Sequence, residues 1–241
     1  DSLDTWLLDR YFAARMFLLI PYEVRTMSQR NPWANLAILL LTVVMFVITW
    51  YDVVPSDVIE AMILEEGNWT GWLGHVLLHA GWMHLIGNML FLFVFGNAVC
   101  GVMNSFLFAA MYVLMGIVAA GVHMLFDGDP AVGASGALCG VMGMYLAIYP
   151  LNRINCFWLF MVRAGTFGMP GWVLILLWFA ADLFGAFGKG GDVAHWAHVG
   201  GTVAGFVTGL LLLKAEKVDL FDYDNPSMLD LMPGQRVVAA E

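Results

Sequence analysis

Long apolar runs alternate with polar connections along this chain, and their lengths predict membrane-crossing helices. The first run is Pro32 to Tyr51. A polar connection from Asp52 to about Leu73 carries Asp57, Glu60, Glu65 and Glu66 and leads to a second run, about His79 to Cys100. The third spans about Ser105 to Phe126. After Asp127-Gly128-Asp129-Pro130 comes the fourth, about Ser135 to Tyr149, which is short and rich in glycine. The fifth is about Gly171 to Phe187 and the sixth about Ala194 to Leu213. A helix of ~20 apolar residues crosses the ~30 Å of hydrocarbon in a bilayer, and a helix satisfies its own backbone polar groups in lipid. The first three runs meet that length, and the shortness of the fourth predicts that it starts below the membrane surface. The expected architecture is all-α: a polytopic membrane protein whose six transmembrane helices occupy 32–213, between an N-terminal segment 1–31 and a C-terminal tail 214–241.

Composition strengthens this picture. Hydrophobic residues make up 61% of the 241 and charged residues 12%, with a mean hydropathy of +0.79; soluble domains carry roughly 25% charged residues. The net charge of −9 argues against a nucleic-acid partner. No short apolar core with a small-residue cleavage site stands near Asp1, so no signal peptide is expected. Cys100, Cys139 and Cys156 are widely spaced and odd in number, without metal or redox spacing, and read as packing residues.

The positions of the basic residues orient the bundle. Arg10, Arg15, Arg25 and Arg30 precede the first run, Arg153 and Arg163 lie between the fourth and fifth, and Lys214 and Lys217 follow the sixth. The first-to-second and third-to-fourth connections have no Lys or Arg, and the fifth-to-sixth has only Lys189. By the positive-inside rule both termini are cytoplasmic, and six spans satisfy the alternation. Spans two, four and six then enter from the outside. His79 is outermost on span two, with His84 deeper and Asn88 a turn deeper again; Ser135 opens span four, and His198 falls in the first turn or so of span six. Polar and ionisable side chains at that depth are costly and mark function.

Small residues explain how Ser135 and His198 could meet. Ala197, Gly201, Gly205 and Gly209 make one smooth face of span six, and Gly136, Gly140 and Gly143 make a similar face on span four. Such faces let helix backbones approach closely in lipid. A serine needs a neighbouring base to become a nucleophile, and His198 has a suitable pKa range. Asp182 stands too near the outer end of span five and too far along the chain to nominate as a third member, so a Ser-His dyad is expected. His84 and Asn88, four apart on one helix face, together with the Ser135 backbone N–H, are candidate oxyanion donors.

These residues resemble the motifs of the rhomboid family of intramembrane proteases. His79-Ala-Gly-Trp-Met-His84-Leu-Ile-Gly-Asn88 is similar to the family's second-helix motif, Gly133-Ala134-Ser135-Gly136 to its Gly-x-Ser-Gly, and Ala197-His198-Val199-Gly200-Gly201 with Gly205 to its sixth-helix motif. The similarity covers roughly 33–213. It implies a serine endopeptidase with Ser135 and His198 catalytic and with His84 and Asn88 serving the oxyanion hole. The implied substrates are transmembrane proteins cut near the outer end of a helix that unwinds easily, within the lipid bilayer. One departure stands out: many relatives have a Trp-Arg pair in the loop after span one, whereas this loop has Trp69 and Trp72 but no Arg. The expected location is a bacterial inner membrane with the site open to the periplasm. No cofactor and no metal are expected, and the sequence leaves the oligomeric state open.

Other readings fare less well. His75, His79 and His84, with His195 and His198, invite a metal or haem site, but that leaves the serine motif unexplained and lacks carboxylate or thiolate support at the same depth. His75, His123 and His195 read individually as structural, and His79 as a hydrogen-bonder for its loop. A catalytically inactive relative that binds transmembrane helices would be expected to lose Ser135 or His198. No repeated half with paired broken helices points to a transporter. A hydrolase nucleophile elbow needs a preceding strand and glycine two after the serine, where Ala137 stands. Span five, with Trp172, Trp178, Phe179, Phe184 and Phe187, is bulky and lacks a small-residue seam, which predicts a loosely packed lateral entrance.

Overall fold

The computed structural model describes residues 17–26, 30–188, 193–220 and 225–232; Arg10, Arg15 and Lys189 lie outside them. The described chain is mostly helical. Strand β1 (Phe17–Val24) is followed by α1 (Trp33–Trp50), the short α2 (Ser56–Met62) and α3 (Gly71–Gly74), then α4 (Trp82–Cys100), α5 (Ser105–Phe126) and α6 (Ser135–Ile148). Strands β2 (Arg153–Phe160) and β3 (Arg163–Pro170) precede α7 (Gly171–Ala186) and α8 (His195–Lys214). Helices α1, α4, α5 and α8 are long and apolar enough to cross a membrane, whereas α6 and α7 are shorter apolar helices. Outward-facing Leu40, Phe106 and Phe184 are 66%, 87% and 86% exposed. Apolar surface so open suits lipid rather than water.

The all-α expectation needs correcting. A 3-stranded antiparallel sheet in the order β1-β2-β3 occupies the end of the bundle away from Ser135. Its β2–β3 hairpin turns at Met161, which takes φ 53°. The apolar residues of 153–170 are thus used in a ladder rather than left as an unstructured connection. Ile154 and Cys156 point into the core as alternate strand residues do.

Helix α6 is the axis of the fold. Every residue from Gly136 to Ile148 is buried, and its 14 residues amount to about 21 Å at ~1.5 Å per residue. It packs against α8 at backbone contact. A Cβ added at Gly201 would collide with the Gly136 carbonyl, one at Gly205 with the Gly140 carbonyl, and one at Gly143 with the Thr202 carbonyl. Only glycine permits so close a crossing, and the dispersion contacts it allows are what bind helices in lipid.

Two further devices fix the neighbours of α6. Asn104 caps α5, its side chain accepting from the N–H groups of Phe106 and Leu107 at 2.9 and 3.2 Å. In α4 the stretch Leu92–Gly96 widens into a π-helical turn. Buried Asn35 of α1 donates to the Leu92 carbonyl at 3.0 Å and to Asn97 Oδ1 at 2.8 Å. It approaches over Gly96, where a Cβ would strike its amide. A polar clasp thus ties α1 to α4 inside the apolar bundle. Beyond α8, the Arg30 guanidinium donates to Asp219 at 3.1 Å, and the Met228 N–H donates to the Ala147 carbonyl at 2.8 Å, so the C-terminal segment rests on the same end as the sheet.

Candidate active site

Ser135 is the first residue of α6, so its backbone N–H and the next ones lack intrahelical partners and point outward. The chain reaches it through Gly133, whose φ of +127° lies in territory that side chains disfavour. Space demands glycine there as well: a Cβ would sit 2.8 Å from both Cε1 and Nε2 of His84, and 3.9 Å from Ser135 Oγ. The loop before Ser135 is itself pinned, with the Gly133 N–H donating to the His75 carbonyl at 2.8 Å and Leu64 bridging to Ala131.

His84 lies in the first turn of α4. The Ala80 N–H donates to its Nδ1 at 3.4 Å, which leaves the proton of the neutral ring on Nε2, the nitrogen beside Gly133. The ring is therefore a donor on the side facing Gly133. Asn88, one turn deeper, is buried and donates through Nδ2 to the His84 carbonyl at 2.9 Å. His198 is in the first turn of α8. A cavity of about 680 Å³ is lined by Ser135, His84 and His198 together with His123, Asp127 and Asp129. Of the residues nominated from sequence, the serine and both histidines open on this space. Asn88 is not among its lining residues.

Two expectations about the surroundings of His198 are corrected. Asp182 of α7 does reach it: Asp182 Oδ1 lies 2.8 Å from His198 Nδ1 and 2.8 Å from His195 Nδ1. Carboxylate and thiol are also present at this depth, because ligand atoms of Cys139, Asp182 and His198 lie within 4.8 Å of one another. Asp182 and His198 are 16 residues apart, but α7 and α8 are antiparallel neighbours. Asp182 sits one turn before the end of α7, and His198 one turn after the start of α8. That matching of depths was the signal available in the sequence.

His75 and His123 serve the scaffold, whereas both ring nitrogens of His79 are buried without a hydrogen-bond partner among the described residues, so the bond expected between it and its loop is not made. His75 Nδ1 pairs with the Gly71 carbonyl at 2.8 Å, and burial is the main cause that lowers its pKa. His123 Nε2 pairs with the Asp129 carbonyl at 2.8 Å. His79, on the loop before α4, has its pKa pushed down to about 4 by burial and then by neighbouring His84, so it is a neutral ring at neutral pH.

Comparison with known proteins decides the family. Residues 66–215 match the profile of the Rhomboid domain, well over half of the chain. The chain belongs to the rhomboid family. Among rhomboid relatives it is 29% identical over 153 residues to Rhomboid protease GluP of Bacillus subtilis, covering 64% of this chain and 28% of the relative. It is 28% identical over 152 residues to Rhomboid protein 1, mitochondrial, of Saccharomyces cerevisiae, covering 59% of this chain and 42% of the relative. With Rhomboid protease GlpG of Haemophilus influenzae it shares 27% identity over 149 residues, 62% of this chain and 72% of the relative. The matched stretch thus spans less than half the length of the GluP and yeast proteins. The family and the apolar helices make this rhomboid an integral membrane protein.

Proposed function

We propose that this rhomboid is an active intramembrane serine endopeptidase, and that α1, α4, α5, α6, α7 and α8 are its six spans. The observation that carries this reading is the convergence of Ser135, His198 and His84, from three helices, on one cavity. Ser135 Oγ attacks the carbonyl carbon of a peptide bond while His198 Nε2 takes the hydroxyl proton. The resulting oxyanion accepts from His84 Nε2–H and the Ser135 backbone N–H, which need no reorganisation as charge develops. The C–N bond then breaks, and the leaving amine receives the proton from His198. Water, deprotonated by the same imidazole, hydrolyses the acyl-enzyme and regenerates Ser135. Asn88 supports this hole through its hydrogen bond to the His84 carbonyl, and its second amide hydrogen is available once a substrate is bound. No cofactor takes part.

The substrates of this reading are transmembrane segments. A peptide bond inside a helix is shielded by its own turn, so the segment must unwind before the serine reaches it. Arg30, Arg153, Arg163 and Lys214 gather at the end opposite Ser135, which supports cytoplasmic termini. In a bacterial inner membrane that arrangement opens the cavity to the periplasm. The test is labelling of the detergent-solubilised chain with a fluorophosphonate, beside Ser135→Ala and His198→Ala. The parent is expected to label, Ser135→Ala to lose labelling altogether because it lacks the oxygen the probe bonds to, and His198→Ala to lose it by on the order of 10³-fold or more, since removing the base of a serine hydrolase costs up to about 10⁶-fold. A parent that stays unlabelled across several detergents and lipids would shift the reading to a helix-binding protein without catalysis.

A further inference from the structure

Asp182 is an acid on an apolar helix, with its side chain 19% exposed. An ionisable group so placed costs stability unless it is partnered. Its partners are two imidazoles on one oxygen, each at 2.8 Å through Nδ1. An ionised carboxylate oxygen only accepts, so both ring nitrogens that face it must carry protons. His198 then holds its proton on Nδ1, and Nε2 is the nitrogen left to act as base. Separations of 2.8 Å are direct hydrogen-bond distances; two nitrogen or oxygen ligands of a tetrahedral zinc ion, each ~2.0 Å from the metal, stand ~3.3 Å apart. Direct bonding therefore accounts for the cluster.

We propose that Asp182 is a positioning residue for His198: it fixes the tautomer and ring orientation of the base and stabilises the imidazolium formed when Ser135 gives up its proton. The inference rests on the reading of Ser135 and His198 above and adds to it a third member from α7. The proton taken from Ser135 resides on His198 Nε2 and returns from there; none passes to Asp182. His195 is the second donor that steadies the carboxylate. Gly185, three residues after Asp182, makes room for it, since a Cβ there would lie 2.5 Å from His195 Nε2. The groups facing His198 are Asp182 from α7, His195 from its own helix, His84 from α4 and Cys139 from α6.

A purely structural role is the competing account. The buried residues of α7 are Gly171, Leu174 and Ile175, all near the other end, so Asp182 is also a tie that holds the outer part of this helix to α8. Fluorophosphonate labelling separates the two roles, because the probe needs an activated serine but no docked transmembrane helix. Second-order labelling rates of the full chain would be followed from acid to alkaline pH for the parent, Ser135→Ala, Asp182→Asn, Asp182→Glu and His195→Ala, with thermal melting of each.

Asp182→Asn is expected to slow labelling at the plateau by about 10²-fold or more, given losses near ~10⁴ where such a carboxylate is fully enclosed. Asp182→Glu should recover part of the rate, and His195→Ala should stay within about tenfold of the parent. An Asp182→Asn protein that labels at the parent's rate overturns the proposal and leaves the tie. Should Asp182→Asn fail to fold, Asp182→Glu decides: it keeps the charge but shifts it by a methylene, and an unchanged rate overturns the proposal equally. A parent that labels no better than Ser135→Ala overturns the protease reading instead.

Discussion

Gly133→Ala perturbs the site without replacing any reacting atom. Two effects follow from the geometry. The φ of +127° is disfavoured for any side chain, at a cost of about 1–3 kcal/mol if the backbone holds its shape. The new methyl would also stand 2.8 Å from two atoms of the His84 ring, about 0.7 Å inside ordinary carbon contact at ~3.5 Å. The backbone on either side is held by the His75 carbonyl and the Leu64–Ala131 bridge, so relief must come from moving His84 or Ser135. A misplacement approaching 1 Å costs about 10²-fold in rate. Expected outcomes are therefore a 10- to 100-fold slower fluorophosphonate labelling and a lower melting temperature. Gly87→Ala is the control: on the same helix as His84, with nothing within 4 Å of its Cβ, it should label normally and gain up to ~1 kcal/mol from helix propensity. If Gly133→Ala labels and melts like the parent, neither the backbone conformation nor the approach of His84 holds the site together, and the reasoning fails.

Two other predictions concern access and acid stability. Phe91 of α4 and Trp178 of α7 have ring centroids 4.7 Å apart; joining cysteines placed at these positions should block cleavage of a transmembrane substrate while leaving fluorophosphonate labelling intact, and unchanged cleavage would sink the lateral-entrance idea. His79 stays neutral in the fold down to about pH 4, whereas an unfolded histidine titrates near ~6.5. The unfolded chain thus binds the extra proton in that window, and stability, full above pH 6.5, is lost as pH falls towards 4, by at most about 3 kcal/mol. His79→Gln should flatten the fall in melting temperature between these limits, and superimposable pH dependences would refute it.

What could be read from the sequence follows from range. Helix α5 was legible because Asn104 and the following apolar run specify it locally, and its bounds, Ser105–Phe126, coincide with the predicted run. The sheet was not, because β1 pairs with a strand well over a hundred residues away, Pro21 facing Cys156, and apolar alternation in 153–160 is masked by the hydrophobic background of a membrane chain. The π-helical turn of α4 escaped for a similar reason: the cause, Asn35, sits on another helix. At the candidate site, Ser135, His84 and His198, which line one cavity, were nominated because each opens or nearly opens an apolar helix. Asp182 was passed over because separation along the chain was treated as separation in space. Two antiparallel helices joined by a short connection bring such positions level.

The brevity of α6 has a consequence for supply. On the protease reading proposed above, each peptide bond cleaved consumes one water molecule, and hydrocarbon holds almost none. A helix of about 21 Å is too short for ~30 Å of hydrocarbon, which on that reading places its serine beneath the surface. The cavity of about 680 Å³ above it has room for roughly twenty waters at ~30 Å³ each. The polar side chains at its mouth, His123, Asp127 and Asp129, keep that well wet. Thicker membranes would drown the mouth in lipid, so a protease of this build should work within a narrow range of acyl-chain lengths, limited by hydration before chemistry.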